Sequence, residues 1–438
     1  MRPRALLPLV LLLLCAGNSR GQPSLNSYGG WTQLRAGATG WFHVTKLDGR
    51  WWFVDPEGNA FLSLGVNAVD LSPDAASAPN YYREAALRKH GTRREWAAAA
   101  VRRLRTWGFN TVGAGSDRIT WEQGLPHTVS LDLSAPSRRQ ADGAFPDVFA
   151  PRFQRDAQSI ARRTCRPLAT DPLLIGYFTD DELPWGATSA DIFAQFLGLG
   201  DRTPGRIALL TFLEDRYLQI EELNQAWGTD YTSFQEIGRL PQVGAALPAD
   251  DQDGFLRLVA ERYFTVAQQA IRAVDTNHLL LGCRFADPPP PAVLQAMARR
   301  VDVVSLRGYG NLPPVASLRE IHRLSQHPLL VSAFTFGARD ASPSDAKGRG
   351  TILDTQKDRG EHYARYLKEA LTLPMVIGCH WDAHADAMKE ESKRENCGLV
   401  DLEDEPYSDF VAVIALANEQ AYAHHAGAKP SRKVTAIR

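Results

Sequence analysis

Short apolar runs that alternate with helical segments constrain the fold of this chain more than any other feature. There are eight such runs, each four to six residues long, and most are followed by a polar residue. Several are continuously apolar rather than alternating, as expected for strands of a parallel sheet covered on both faces. Eight parallel strands that alternate with helices predict an α/β fold, the (β/α)8 or TIM barrel. The runs occupy residues 61–66, 110–113, 128–131, 173–178, 279–283, 301–306, 329–334 and 376–381.

Two further segments would decorate this barrel. The stretch "GWFHVTKLDGRWWFVDPEGNAF" predicts an N-terminal β-hairpin at about 41–58, because apolar runs flank Asp48-Gly49 and "DPEG" forms a second turn. We expect this hairpin to close the N-terminal face of the barrel. The long interval between the fourth and fifth runs predicts a helical insertion that shapes one side of the cleft. With no internal repeat, we expect one barrel domain over 22–428 and a disordered tail over 429–438.

The N-terminus has the layout of a secretory signal peptide over residues 1–21. Two arginines precede an apolar run of about eleven residues, which small residues follow. A membrane anchor is the competing interpretation, but a span needs roughly 20 apolar residues. Lipoprotein processing at Cys15 is a second alternative, although Leu14 is bulky for such a site. We therefore expect a secreted or periplasmic protein without a membrane span.

Charge and cysteine content exclude several classes of partner. The formal net charge is −1 and the charges are interspersed, which argues against a nucleic-acid partner. The remaining cysteines match neither a disulfide framework nor a zinc site, and no cofactor or metal is predicted. The alternation Asp382, His384, Asp386 could hold a cation, but no second histidine-rich cluster supports it. The four cysteines are Cys165, Cys283, Cys379 and Cys397.

Residues at the ends of the strands are the candidates for chemistry, because barrel active sites lie at the carboxyl ends of the strands. The fourth run ends in "GYFTDDELPWG", where Asp180, Asp181 and Glu182 open onto Trp185. A carboxylic acid beside a sugar-stacking ring suits the cleavage of a glycosidic bond. The alternative is an acidic loop that caps the following helix.

This motif and two later ones resemble a known group of enzymes. "GYFTDDELPWG", "YLQIEELNQAWGTDYTSFQEI" and "LLVSAFTFGARD" with its continuation to "CGLVDLEDEPY" are similar to the β-agarase-like and β-galactosidase-like glycoside hydrolases of clan A, families 50 and 42. The resemblance runs from about Trp41 to Tyr422. It implies a TIM barrel that acts on β-linked galactan or agarose-like carbohydrate. It also implies retaining hydrolysis by two glutamates roughly 5 Å apart, one after the fourth strand and one ending the seventh.

The sequence departs from that pattern at the positions that carry the chemistry. Glu182 matches the acid/base, but Asp181 stands where the resemblance implies asparagine. The seventh strand should end in Ser/Thr-Glu-Phe, whereas this chain has Ala333 in the middle position, so the nucleophile is missing. Three more positions depart from the expected tryptophan, asparagine and aromatic residue respectively: Gly115, Arg307 and Asp382.

Eight positions are predicted to bind substrate, and all of them except Asp181 and Trp185 keep the pattern. A buried, satisfied histidine is the alternative for His380, and core packing is the alternative for the two tryptophans, which could otherwise serve as sugar platforms. The predicted substrate-binding residues are Asn67, Asp117, Asp181, Trp185, Arg284, Tyr309, His380 and Trp381.

Two hypotheses follow from the loss of the nucleophile. In the first, Glu182 is the general acid and Asp382, which ends the neighbouring eighth strand, is a relocated base. A gap of about 6.5–9.5 Å between them would admit a water and give an inverting enzyme. Asp117, Asp181 and Asp386 are weaker candidates for the base, and Asp382 could instead pair with Arg307. In the second hypothesis the protein is an inactive pseudo-glycosidase that binds carbohydrate or a protein partner. The sugar, the linkage and the oligomeric state stay open.

Overall fold

The computed structural model describes residues 24–74, 80–140, 144–237, 247–341, 350–390 and 393–427. The predicted signal peptide and C-terminal tail lie outside these residues, and the domain bounds remain a prediction. The strands are β1 Trp31–Arg35, β2 His43–Leu47, β3 Arg50–Val54, β4 Asn59–Phe61, β5 Ser63–Val66, β6 Thr111–Val112, β7 His127–Ser130, β8 Leu174–Phe178, β9 Leu279–Leu280, β10 Arg284–Phe285, β11 Val304–Arg307, β12 Leu329–Phe334, β13 Phe336–Ala338, β14 Thr351–Leu353, β15 Val376–Trp381, β16 Ala387–Glu390 and β17 Lys393–Glu395.

Helices separate most of the barrel strands. The helices are α1 Tyr81–His90, α2 Arg93–Thr106, α3 Arg118–Trp121, α4 Ala135–Gln140, α5 Pro151–Thr164, α6 Ser189–Leu197, α7 Pro204–Tyr217, α8 Ile220–Trp227, α9 Ala249–Arg272, α10 Pro291–Met297, α11 Val315–Ser325, α12 Gln356–Thr372, α13 Ser408–Glu419 and α14 Ala421–His425. Within the described ranges, none of them is long and apolar enough to cross a membrane.

The predicted TIM barrel is confirmed by a parallel sheet of nine strands in the order β10-β11-β12-β15-β5-β6-β7-β8-β9. The two strands at its ends, β9 and β10, are halves of one strand, interrupted at Leu281–Cys283. The carbonyl of Leu280 also accepts a hydrogen bond from Val303 N at 3.2 Å, which joins β9 to the segment leading into β11. The sheet therefore closes on itself as a barrel of eight strands, with β9 and β10 counted as one.

An antiparallel sheet plugs the N-terminal end of the barrel. Strands β2 and β3 form the predicted hairpin around the turn Asp48-Gly49. Both turn residues have left-handed φ angles. The structure adds β1 and β4, which gives the order β1-β4-β3-β2. From this sheet and its flanks, Phe42, Phe53 and Phe61 pack against apolar side chains inside the barrel, among them Ile175, Leu279, Val303, Leu330 and Ile377. With one end filled, the carboxyl ends of the strands form the open face.

The predicted insertion after the fourth strand consists of α6, α7 and α8, with the long helix α9 leading back to the barrel. Apolar side chains of α6 and α9 meet in the main core, where Phe193 and Phe196 pack against Phe255 at ring distances of 5.8 and 5.3 Å. The insertion is therefore anchored to the barrel and not a separate unit. It follows the loop that carries Glu182.

Candidate active site

A buried aspartate anchors the loop that follows β8. Asp180 has 1% of its surface exposed, and its carboxylate accepts hydrogen bonds from Ser134 Oγ at 2.6 Å and Tyr263 Oη at 2.5 Å. Burial raises the pKa of Asp180 to about 7, although these hydrogen bonds act in the opposite direction. The first of the three adjacent acids is thus a structural anchor that leaves the next two to face the mouth.

The backbone of β10, the second half of the fifth barrel strand, holds Glu182 in place. Its amide donates to the carbonyl of Arg284 at 3.1 Å, and the amide of Arg284 donates to the carbonyl of Asp180 at the same distance. Glu182 adopts a φ of 49°, a left-handed conformation that is uncommon for a residue with a side chain and that often marks a functional position. Its side chain is 48% exposed. The predicted acid therefore lies at the accessible rim of the barrel, on a backbone that two hydrogen bonds hold in place.

Arg307 is the hub of the site. Its Nη1 lies 2.7 Å from Glu182 Oε1 and its Nη2 lies 2.8 Å from Asp181 Oδ2, while Nη1 also donates to Tyr309 Oη at 3.1 Å. Burial alone would lower the pKa of this guanidinium, but Tyr309, Asp181 and Glu182 together raise it. A nearly buried cation thus holds two adjacent acids and one phenol in fixed positions.

A second arginine supports the strand that ends near the expected nucleophile position. Arg284 contacts Asp181 Oδ2 at 3.3 Å and donates to the carbonyl of Ser332 at 3.0 Å, which also accepts from Asn67 Nδ2 at 2.8 Å. The next residue, Ala333, has no exposed surface, and β12 is irregular in register with both neighbours here. The backbone at this point is therefore held on both sides although Ala333 offers no functional group.

Tyr309 stands between Arg307 and Asp382. Its hydroxyl donates to Asp382 Oδ2 at 2.7 Å and accepts from Arg307. The sequence left open a direct pair between Asp382 and Arg307; the structure instead has this relay through a phenol. Both Tyr309 and Asp382 are partly exposed. A continuous line of contacts thus runs across the mouth from the end of β8, the fourth barrel strand, to the end of β15, the eighth.

The two tryptophans predicted as sugar platforms lie in the core. Trp185 is 4% exposed, with its ring 4.7 Å from Phe145 and 5.5 Å from Tyr263. Trp381 is fully buried, and its indole N–H donates to the carbonyl of Cys397 at 3.0 Å. The structure matches the packing alternative for both residues, and a contact with sugar would require this packing to open.

His380 and Asp117 also lie apart from the line of contacts. His380 is fully buried, with Nε2 2.8 Å from Ser63 Oγ, and burial together with the charge of Arg284 lowers its pKa to about 3. Asp117 caps α3 by accepting from Ile119 N at 3.2 Å, and it accepts from Arg93 Nε at 2.7 Å. The structure therefore gives a neutral histidine below the mouth and a helix cap at its side.

The sequence indicates Arg307 as a departure from the family pattern and as a possible partner of Asp382, but it does not predict the contacts of Arg307 with Asp181, Glu182 and Tyr309. The available signal was a charged residue directly after the apolar run 301–306, since a charge that is buried needs partners. Within the described ranges, no group of three or more His, Cys, Asp or Glu side chains is arranged to hold a metal ion.

Comparisons with known proteins agree with the fold. A sequence profile described as β-galactosidase matches residues 127–331. β-Agarase B of Vibrio sp. (strain JT0107) is 24% identical over 91% of this chain and 50% of its own length, and β-agarase A of the same strain is 28% identical over 84% and 44%. A solved exo-β-agarase superposes with a TM-score of 0.81 at 25% identity, covering 92% of this chain and 68% of its own. A second solved agarase gives the same values.

The barrel fold and the profile match together make this chain similar to the glycoside hydrolases of clan A. Within that class the chain is similar to β-agarases, so the resemblance noted in the sequence is confirmed. The chain spans about half the length of the curated relatives it matches.

Proposed function

We propose that this protein is a glycosidase in which Glu182 donates a proton to the leaving oxygen and Asp382 accepts a proton on the attacking side. The observation that carries the proposal is the line of contacts across the mouth, which places both carboxylates on one accessible face. Successive contacts of 2.7, 3.1 and 2.7 Å limit the distance from Glu182 Oε1 to Asp382 Oδ2 to at most 8.5 Å. Two carboxylates within such reach are what glycosidic cleavage requires.

The proposed substrate is a β-linked galactan or agarose-like carbohydrate. The similar proteins are β-agarases and the matching profile is described as β-galactosidase, which supports this substrate class. The N-terminal sequence supports export, so a polysaccharide outside the cytoplasm is the matching substrate class.

A second candidate function is carbohydrate binding without turnover. Arg307 engages Glu182 directly, and Ala333 supplies no carboxylate at the position where the resemblance implies the nucleophile. An arginine bound to the proposed proton donor is the arrangement expected of a cleft that no longer catalyses hydrolysis. Binding and catalysis therefore need separate measurements.

Turnover by the purified chain tests the proposal. Agarose, β-galactan and aryl β-galactosides would be assayed with the wild type and with Glu182→Gln and Asp382→Asn. We expect each substitution to lower kcat at least about 100-fold, because each removes one proton-transfer group. The exposed residues Glu84 and Asp230 offer matched controls, Glu84→Gln and Asp230→Asn, which should behave as the wild type.

Calorimetric titration with agaro-oligosaccharides separates the two candidate functions. Turnover that disappears in both site variants supports the glycosidase. Oligosaccharide binding by a wild type that releases no product supports the second function instead. Full activity of Glu182→Gln would contradict the assigned role of that residue.

A further inference from the structure

The hydroxyl of Tyr309 is placed where a nucleophile could act. Its ring belongs to the segment after β11, next to the strand that ends with Ala333 and Phe334. Arg307 pairs with Ala333 across β11 and β12, and the amide of Gly308 donates to the carbonyl of Ala333 at 2.8 Å. Tyr309 follows directly and is partly exposed at the mouth. A hydroxyl oxygen therefore lies one strand away from the position that carries only a methyl group.

Resting on the function proposed above, we propose that Tyr309 is the catalytic nucleophile of this barrel. Tyrosine fills that role in some glycosidases, where a phenolic oxygen replaces the usual carboxylate. A relocated nucleophile would let the enzyme retain anomeric configuration although Ala333 cannot form a covalent intermediate.

The distance to the proton donor supports this role. Tyr309 Oη and Glu182 Oε1 both contact Arg307 Nη1, at 3.1 and 2.7 Å, so they are at most 5.8 Å apart. Retaining glycosidases separate their two catalytic groups by about 5–5.5 Å, because the nucleophile must reach the anomeric carbon directly. The upper limit set by the shared nitrogen leaves less room than the roughly 6.5–9.5 Å of a water-activating pair.

The neighbours of Tyr309 are the groups that a phenol needs in order to act as a nucleophile. A free phenol is almost fully protonated at neutral pH, so it requires an adjacent base. Asp382 Oδ2 accepts its proton at 2.7 Å, and Arg307 Nη1 donates to the same oxygen, which stabilises negative charge that develops there. The guanidinium carbon also lies 5.7 Å from the centre of the tyrosine ring. Base, cation and phenol thus form one preassembled unit.

The reaction would proceed in two balanced steps. In the first, Tyr309 Oη bonds to the anomeric carbon while its proton passes to Asp382, and the glycosidic bond breaks as protonated Glu182 gives its proton to the leaving oxygen. In the second, water bonds to the anomeric carbon and its proton passes to Glu182, while the bond to Tyr309 breaks and the phenol recovers its proton from Asp382. The sum is hydrolysis with retention, and every group returns to its initial state.

Covalent trapping on the wild type tests this assignment directly. The probe is a β-galactoside with fluorine on the carbon next to the anomeric carbon and dinitrophenolate as the leaving group, a combination that slows the second step. We expect the intact mass to rise by one fluorogalactosyl group and peptide mapping to place it on Tyr309. An adduct on Asp382 or on another residue would overturn the assignment.

Stereochemistry and substitution provide independent readouts. Nuclear magnetic resonance of the first product should show the β anomer, and Tyr309→Phe should lower kcat at least about 1,000-fold. The exposed Tyr81 gives a matched control, since Tyr81→Phe removes the same hydroxyl from a residue outside the line of contacts and should leave kcat unchanged.

The outcomes separate this inference from the proposed function. Turnover with an α product, or full activity of Tyr309→Phe, overturns the assignment of Tyr309 as nucleophile but leaves the proposed glycosidase function intact. In that case Asp382 would activate water, and Tyr309 would only hold Asp382 in place. A wild type that gives neither product nor adduct overturns both.

Discussion

Ala333 is the residue at which the chemistry of this barrel differs most from what its resemblance implies. The side chain is fully buried, and its strand partner is Arg307, the cation that binds Asp181 and Glu182. A longer acidic side chain at this position would therefore lie near a guanidinium that is already shared by two acids. Any reintroduced carboxylate would have to compete for that cation.

Ala333→Glu, made in the Tyr309→Phe background, should restore hydrolysis of aryl β-galactosides by at least about 10-fold over that background, because a carboxylate returns to the end of the seventh strand. The same change should lower the free energy of unfolding by about 1–3 kcal/mol, since it buries a charge. Steady-state kinetics and urea unfolding measure the two effects. No gain of activity would mean that a sugar does not reach this strand end.

At the residue scale, the sequence predicted which strand ends would carry the acids but not how they are connected. Glu182 and Asp382 were identified because polar residues that follow apolar runs must lie at the mouth. The central role of Arg307 could not be predicted, since it depends on the register between three strands and on which oxygen each nitrogen reaches. The burial of Trp185 was also not decidable, because an aromatic residue after a strand suits both a sugar and a core.

At the scale of secondary-structure elements, Asp180 ties three of them together. It follows β8, and its carboxylate binds Ser134, which immediately precedes α4, and Tyr263 in the middle of α9. The pKa of about 7 means that the folded protein favours the protonated acid relative to the unfolded chain, whose ordinary value is 3.8. This contribution to stability is fully present below pH 3.8 and is lost as the pH rises through about 7.

Asp180→Asn should therefore remove part of the pH dependence of stability. In the wild type this group should cost up to about 4 kcal/mol of unfolding free energy between pH 4 and pH 7, whereas an amide does not titrate. Urea unfolding at intervals over that range measures the difference between the two proteins, and Asp230→Asn serves as the exposed control. Parallel curves for the wild type and Asp180→Asn would show that Asp180 does not titrate in this way.

Strand prediction succeeded where a run was uninterrupted. The runs 329–334 and 376–381 coincide with β12 and β15, and the eight predicted strands all have counterparts. The run 279–283 failed as a single strand because Gly282 adopts a φ of +70°, which breaks the extended backbone into β9 and β10. A glycine inside a strand often marks such a break, so Gly282 was the available sequence signal for this interruption.

At the scale of the whole molecule, buried neutral histidines make the fold sensitive to acid. Burial lowers the pKa of His127 to about 4, that of His380 to about 3 and that of His384 to about 4, all below the ordinary value of 6.5. Because the unfolded chain takes up protons first, the stability they contribute is fully present above pH 6.5 and is lost as the pH falls through about 4 for His127 and His384 and through about 3 for His380.

His384→Leu should reduce this acid sensitivity. His384 is fully buried between the rings of Tyr82 and Trp96, so an apolar side chain of similar size suits the site. The wild type should lose up to about 3 kcal/mol more unfolding free energy than the variant between pH 7 and pH 4. Thermal unfolding across that range measures this difference, and a comparison at pH 8 isolates any change in packing. Equal losses would contradict a neutral His384.

Fold class was the most predictable property of the molecule and its energetics the least. The spacing of apolar residues and the number of apolar runs predict a barrel, because they show which faces of the strands and helices must be buried. The buried acids and histidines gave no comparable signal, since the same residue types serve equally well on a surface.

The split fifth strand has a consequence for how copies of this protein can meet. Because β9 pairs with β8 while β10 pairs with β11, the barrel sheet has no unpaired edge among the described residues to which another chain could add a strand. Association through the barrel wall must therefore use helix surfaces or loops. Aggregation by strand addition to that wall would first require β9 to detach from β8 or β10 to detach from β11.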